Sequence, residues 1–227
     1  MAAALGWGAL AASSLVVGAL IGLARQWPRR AIGLVLGFGA GALISAVSFE
    51  LAEEGVKLAG ALPVALGLGV GAITYYLASI RVASLGGGAA LALGAFLDGI
   101  PEQMVLGIGL AGGASVSAGL LAAIFVSNLP EAIGGATDMR RHTDDGRKVA
   151  LAWLAIASLC TLATALGYAI ADAASDELQG AINGFAAGAL LVMLVDSMIP
   201  EATEEAGRTT GLVTALGFAV AAGLSLR

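Results

Sequence analysis

The sequence predicts an all-α polytopic membrane protein. Eight transmembrane helices form one domain over residues 1–227, with helices one to three and six to eight as an inverted repeat around helices four and five. Three observations carry this reading. Of 227 residues, 59% are hydrophobic and only 12% charged, with a mean hydropathy of +0.93. A soluble domain sits nearer half apolar and a quarter charged. The apolar residues also gather into eight runs, each near the ~20 residues that cross a bilayer as a helix. Finally, Lys and Arg alternate sharply between successive loops.

The first run, 4–24, lacks a charged segment before it and reads as a retained span rather than a cleaved signal. The others are 31–52, 58–79, 88–111, 115–137, 149–171, 180–200 and 210–226. The 34 glycines suit close helix approach in lipid, and Gly37, Gly41, Gly184 and Gly188 have the spacing for it. Arg25, Arg29 and Arg30 follow helix one, and Arg81 follows helix three. Arg140, Arg141, Arg147 and Lys148 follow helix five, and Arg208 follows helix seven. Only Lys57 and Arg227 fall on the other side, a split of nine to two. The positive-inside rule then predicts a multi-pass cell-membrane protein with both termini extracytoplasmic.

An internal repeat supports the count. Gly37-Phe38-Gly39-Ala40-Gly41-Ala42-Leu43 in helix two matches Gly184-Phe185-Ala186-Ala187-Gly188-Ala189-Leu190 in helix seven. The offset of 147 (184 − 37) pairs Glu54 with Glu201. The two helices run in opposite directions, as in the inverted repeats of secondary transporters. Helices four and five resemble each other as well. Phe96-Leu97-Asp98-Gly99-Ile100-Pro101-Glu102 and Phe125-Val126-Ser127-Asn128-Leu129-Pro130-Glu131 are offset by 29 (131 − 102).

These two segments carry the chemistry. Positions four apart share a helix face, so Asp98 lies over Glu102 and Ser127 over Glu131. Each proline lacks an amide hydrogen and frees the carbonyl four residues earlier, that of Leu97 or Val126. Asp98, Glu102, Glu131 and Asp196 fall in apolar runs without Lys or Arg. A charge at mid-bilayer costs about 2.5–3.5 kcal/mol even on insertion scales. Protonation, water or a bound cation must offset that, and an oxygen-rich site suits a divalent cation. Ser127 is at least as well placed to bond its own helix as to act as a ligand. Asn128 adds a second polar group on that side. Asp196 belongs either to the pathway or to a contact with a neighbouring helix. Glu50, Glu53 and Glu54 form a solvated rim at one end of helix two, and Glu201, Glu204 and Glu205 form another at the opposite side. His142, the sole histidine, sits among Arg140, Arg141, Asp144 and Asp145 and reads as loop. Cys160 reads as a small buried residue; alone, it excludes an internal disulfide.

Eight spans, outside termini and Pro-Glu motifs on helices four and five make the whole chain similar to the ZIP (Zrt/Irt-like) family of divalent-metal transporters. Family helix four reads roughly His-Asn-x-Pro-Glu-Gly; here it is Asp98, Gly99, Ile100, Pro101, Glu102 and Gln103. The related pattern of helix five is Ser127, Asn128, Leu129, Pro130, Glu131 and Ala132. The resemblance implies a mid-membrane metal site for zinc, iron, manganese or cadmium as substrate, with no organic cofactor. Two departures reduce it. Asp98-Gly99 replaces His-Asn, and Cys160-Thr161 stands where many bacterial members have Glu-Pro. The expected metal position is therefore Asp98, Glu102 and Glu131 with Ser127 or Asn128. Replacing imidazole by carboxylate hardens it toward manganese, magnesium or iron.

The resemblance implies an importer that is not an enzyme, with the metal ion and membrane lipid as partners. A monomer and a homodimer both stay open. No basic run with interleaved aromatics supports nucleic-acid binding, and no P-loop supports ATP hydrolysis. The main alternative is a sensor or scaffold of the same fold that does not transport. An intramembrane hydrolase is disfavoured, because Ser127 has no basic partner in its motif. A proton-coupled carrier of organic solutes would need a larger pocket.

Overall fold

In a computed structural model of the chain, residues 1–25, 27–84, 87–111, 118–143 and 145–225 are described, without the side chains of 87–92 and 118. Asp144, Arg227 and the predicted span ends at 115–117 and 226 lie outside the described residues. Eight rods follow in order: α1 (Ala2–Ala24), α2 (Arg29–Ala59), α3 (Ala61–Ala83), α4 (Gly87–Ala111), α5 (Ala118–His142), α6 (Gly146–Asp172), α7 (Asp176–Ala206) and α8 (Thr209–Ser225). Among the described residues, six of them, all but α4 and α8, are long and apolar enough to cross a bilayer, and α8 is a shorter apolar helix. The chain is an all-α polytopic membrane protein.

Two rods outrun their apolar runs. Helix α2 continues to Ala59, past the predicted 52, because its polar end is held by Lys57 bonding Glu53 and Glu54, each at 2.9 Å. Gly60, at φ +81°, then stops it, so α3 starts at Ala61 and not at 58. Helix α7 likewise runs on to Ala206 and is stopped by Gly207 at φ +66°. Side-chain caps start two of the helices: Asp145 accepts the amides of Arg147 and Lys148, and Ser175 accepts that of Leu178.

The inverted repeat is visible in the packing. Each half contains one long helix interrupted by a π-helical segment, Val47–Glu53 in α2 and Leu194–Met198 in α7. These segments begin 147 residues apart, as do the stop glycines 60 and 207. Gly41 of α2 seats against the backbone of Thr214 in α8, and Gly188 of α7 against that of Leu68 in α3. Gly217 meets the Phe38 carbonyl just as Gly71 meets that of Phe185. Helices α1 and α6 grip the central pair in the same way, with Gly22 on Ile133 of α5 and Gly167 on Met104 of α4. A side chain at any of these glycines would strike backbone, so these close approaches need glycine.

The long helices α2 and α7 are antiparallel. Gly33 lies against Glu205 and Ala206, while Gly55 lies against Asn183. The Arg29 guanidinium bonds Glu205 at 3.0 Å, and Leu23 approaches Gly146. Those contacts bring the α1–α2, α5–α6 and α7–α8 loops, which carry most of the arginines, to one end of the bundle.

Candidate functional site

The two proline motifs meet inside the bundle. Pro101 and Pro130 lie within continuous helices, held by α6 and α1 on either flank. Glu102 is 1% exposed, Ser127 0% and Asn128 1%. The Ser127 hydroxyl lies 3.1 Å from Glu102 Oε1 and 3.0 Å from the Ile124 carbonyl. It therefore reaches both its own helix and the facing one. Glu102 Oε2 and both amide atoms of Asn128 are buried with no hydrogen bond of ordinary geometry among the described residues, though the Asn128 amide stands beside the Glu102 carboxyl. Such orphaned polar atoms are rare in native interiors and call for an occupant or a role.

Asp98 is held differently. The Tyr75 hydroxyl of α3 donates to its Oδ1, and the Ser197 hydroxyl of α7 reaches Oδ2 at 3.5 Å. Asp98 and Glu131 line one small cavity of about 10 Å³ with Leu36, Met193, Ser197 and Glu201. That is about the space of one water-sized sphere. Glu131 stands within electrostatic reach of Asp98, Glu102 and Glu201. No cation pairs with any of these four acids among the described residues. Nor do three carboxylate, imidazole or thiol groups there stand close enough to hold a metal ion.

The five residues singled out from the sequence thus fall into two neighbouring groups. Glu102 and Ser127 are buried and bonded to each other, with the Asn128 amide buried next in sequence to Ser127. Asp98 and Glu131 share the cavity. Tyr75, Ser197 and Glu201 join them and are not legible as site residues in the sequence. The 147-residue offset paired Glu201 with Glu54 but gave no hint that Glu201 turns inward. A usable signal was the four-residue spacing of Ser197 and Glu201, which puts both on one face. Glu201 lines the cavity and is itself exposed, one helical turn before Glu205, which bonds Arg29.

Asp196 neither enters this cavity nor bonds a neighbouring helix. It is exposed between α3 and α7 and has no partner among the described residues. The cause is the π-helical segment Leu194–Met198, which changes the angular advance per residue and turns Ser197 inward instead. Glu50 bonds Ser225 at 2.8 Å, and Glu53 and Glu54 keep to the exposed rim. His142 is exposed, with Nδ1 at 3.0 Å from the Asp138 carbonyl of its own helix.

Cys160 is fully buried and free. Its sulfur faces Gly99, where an added Cβ would sit 2.7 Å from Sγ. The two sequence positions that depart most from the His-Asn and Glu-Pro pattern therefore touch each other. Sulfur fills the room that a side chain at position 99 would need.

No family model matches the chain, and no curated protein matches it in sequence.

Proposed function

We propose that the chain carries a divalent cation across the cell membrane, in the manner of a ZIP-like importer. The observation that carries the reading is the set of acids Asp98, Glu102 and Glu131 inside a membrane-spanning bundle, on two antiparallel proline-containing helices, with no cation paired to them among the described residues. An unpaired acid at that depth marks an ion pathway by default. Hard oxygen donors suit manganese, magnesium or iron better than zinc.

The ion enters at the end that carries Glu50, Glu53 and Glu54. It displaces the Ser127 hydroxyl from Glu102 and the Tyr75 hydroxyl from Asp98, which lets those acids swing with Glu131 toward one centre. The Asn128 amide oxygen, already dehydrated, joins them. Release runs past Glu201 to the arginine-rich end, taken as cytoplasmic, as α2 and α7 rock about their π-helical segments. Both termini are then extracytoplasmic, and the chain is not an enzyme.

The test is manganese uptake into proteoliposomes. Glu102→Gln and Glu131→Gln should each lower uptake at least roughly 100-fold, about 2.7 kcal/mol at 1.36 kcal/mol per decade, while leaving the protein in the membrane. Full uptake by Glu131→Ala refutes the site. Binding of manganese without any uptake by the unaltered protein would favour the sensor reading. The closure of position 99 by Cys160 is what keeps that reading alive.

A further inference from the structure

The repeat is broken at one place on the outside of the bundle. In the seam between α2 and α8, Phe49 and Phe218 close the contact, ring centroids 6.0 Å apart. Their counterparts in the seam between α7 and α3 are Asp196, 147 residues after Phe49, and Ala72, one residue from the partner of Gly217. An aromatic pair is replaced by a methyl group and a carboxylate. What results is a groove of about 500 Å³ between α3 and α7, lined by Ala72, Ile73, Tyr76, Leu191, Val195 and Asp196 among others. That volume lies in the range of small-ligand pockets.

We propose that this groove binds a lipophilic amine: a molecule with one cationic nitrogen on an apolar body, arriving sideways from the bilayer. The apolar body takes the volume that the phenylalanine pair fills in the other seam. The nitrogen meets the Asp196 carboxylate, which has no partner among the described residues. The half-exposed Tyr76 ring adds a cation-binding face. Depth argues against an ordinary lipid headgroup. Asp196 stands ten residues before Ala206, roughly 15 Å along the helix. A ~30 Å hydrocarbon layer centred on the roughly 46 Å length of α7 puts it roughly 7 Å below the boundary. A headgroup could reach it only by carrying its phosphate into hydrocarbon as well, whereas a free amine brings one charge, which Asp196 neutralises, and no phosphate. This assignment does not depend on the cation pathway, because groove and cavity lie on opposite sides of α7.

The probe is a dodecylamine dansylated at the chain end remote from its free amine, with the likewise end-dansylated dodecanol as its neutral match, titrated against the protein in phosphatidylcholine nanodiscs. The amine should bind at least roughly ten-fold tighter than the alcohol, about 1.4 kcal/mol. Asp196→Asn should erase that preference and Asp196→Glu should keep it. Ala72→Phe, which refills the seam, should remove binding of both probes. Equal binding of the two probes, or an unchanged preference in Asp196→Asn, overturns the proposal. So does displacement of the amine when phosphatidylethanolamine replaces phosphatidylcholine, which would assign the groove to a headgroup. A change from dimer to monomer in Asp196→Asn would assign it to a second copy and overturn the proposal equally.

Discussion

The seam between α2 and α8 and the seam between α7 and α3 are built on one plan and finished differently. Both set glycines against backbone at matching positions, Gly41 on Thr214 and Gly188 on Leu68. Both contain a π-helical segment and end at a glycine with positive φ. Beyond that frame they part. The first seam carries Phe49, Glu50, Phe218 and Ala221; the second carries Asp196, Ser197, Ala72 and Tyr75. Glu50 is tied to Ser225, at the edge of the bundle. Ser197 and Tyr75 both reach Asp98 at its centre. Positions that hold the fold are the ones the repeat preserves. Positions that reach the acids are the ones where the copies diverge.

The most direct way to break this comparison is to damage the frame in both halves. Gly41→Ala and Gly188→Ala each drive a methyl group into backbone of the neighbouring helix. Overpacking of this kind costs about 1–3 kcal/mol, and backbone yields less readily than side chain, so the upper end is expected. Both variants should melt well below the unaltered protein in detergent, by similar amounts. Gly69→Ala is the control: nothing lies near its added Cβ, and a helix gains up to about 1 kcal/mol from alanine. A large drop in one half only would mean that the repeat is not what carries the fold.

Next in size is the divergent layer. Tyr75→Phe removes the hydroxyl that Asp98 accepts, and its counterpart Ala221 never had one. A hydrogen bond to an ionised group contributes about 1.5–3 kcal/mol. Manganese uptake should change by roughly ten-fold or more in Tyr75→Phe. Ser225→Ala, which cuts the Glu50 bond of the first seam, should leave it unchanged. The melting point of each variant separates this from a fold defect. If both variants leave transport alike, the second seam has no special tie to the site.

How much of this was legible beforehand follows from the same division. Helix number, the basic end and the repeat were readable because lipid imposes a length, a charge bias and small residues at contacts. The helix extensions to Ala59 and Ala206 were not, since local ion pairs and stop glycines set them beyond the apolar runs. The burial of Glu102, Ser127 and Asn128 follows from their place in apolar runs. The inward turn of Ser197 and the outward turn of Asp196 do not, because a π-helical segment changes which neighbour faces the core and leaves no periodic trace. Tyr75 near the end of an apolar run looks like an interfacial aromatic. Glu201 looks like one more member of a solvated acidic run.

The smallest expected effect lies where α4 and α5 differ. Gly99 and Asn128 are equivalent under the 29-residue offset. Asn128 presents a buried amide, while Gly99 is closed off by the Cys160 sulfur. Gly99→Ala therefore sets two terms against each other. Alanine favours the helix by about 1 kcal/mol, and the methyl group crowds a buried sulfur by enough to force a shift. In the natural background the crowding should win, by about 1 kcal/mol. In a Cys160→Ala background the sulfur is gone and the same change should stabilise. The coupling in this double-mutant cycle should be about 1–2 kcal/mol, read from melting in detergent. A coupling near zero would mean that Cys160 does not close position 99. The asymmetry between Gly99 and Asn128 would then have to come from the helices themselves, and Gly99→Asn should be accepted without any change at 160.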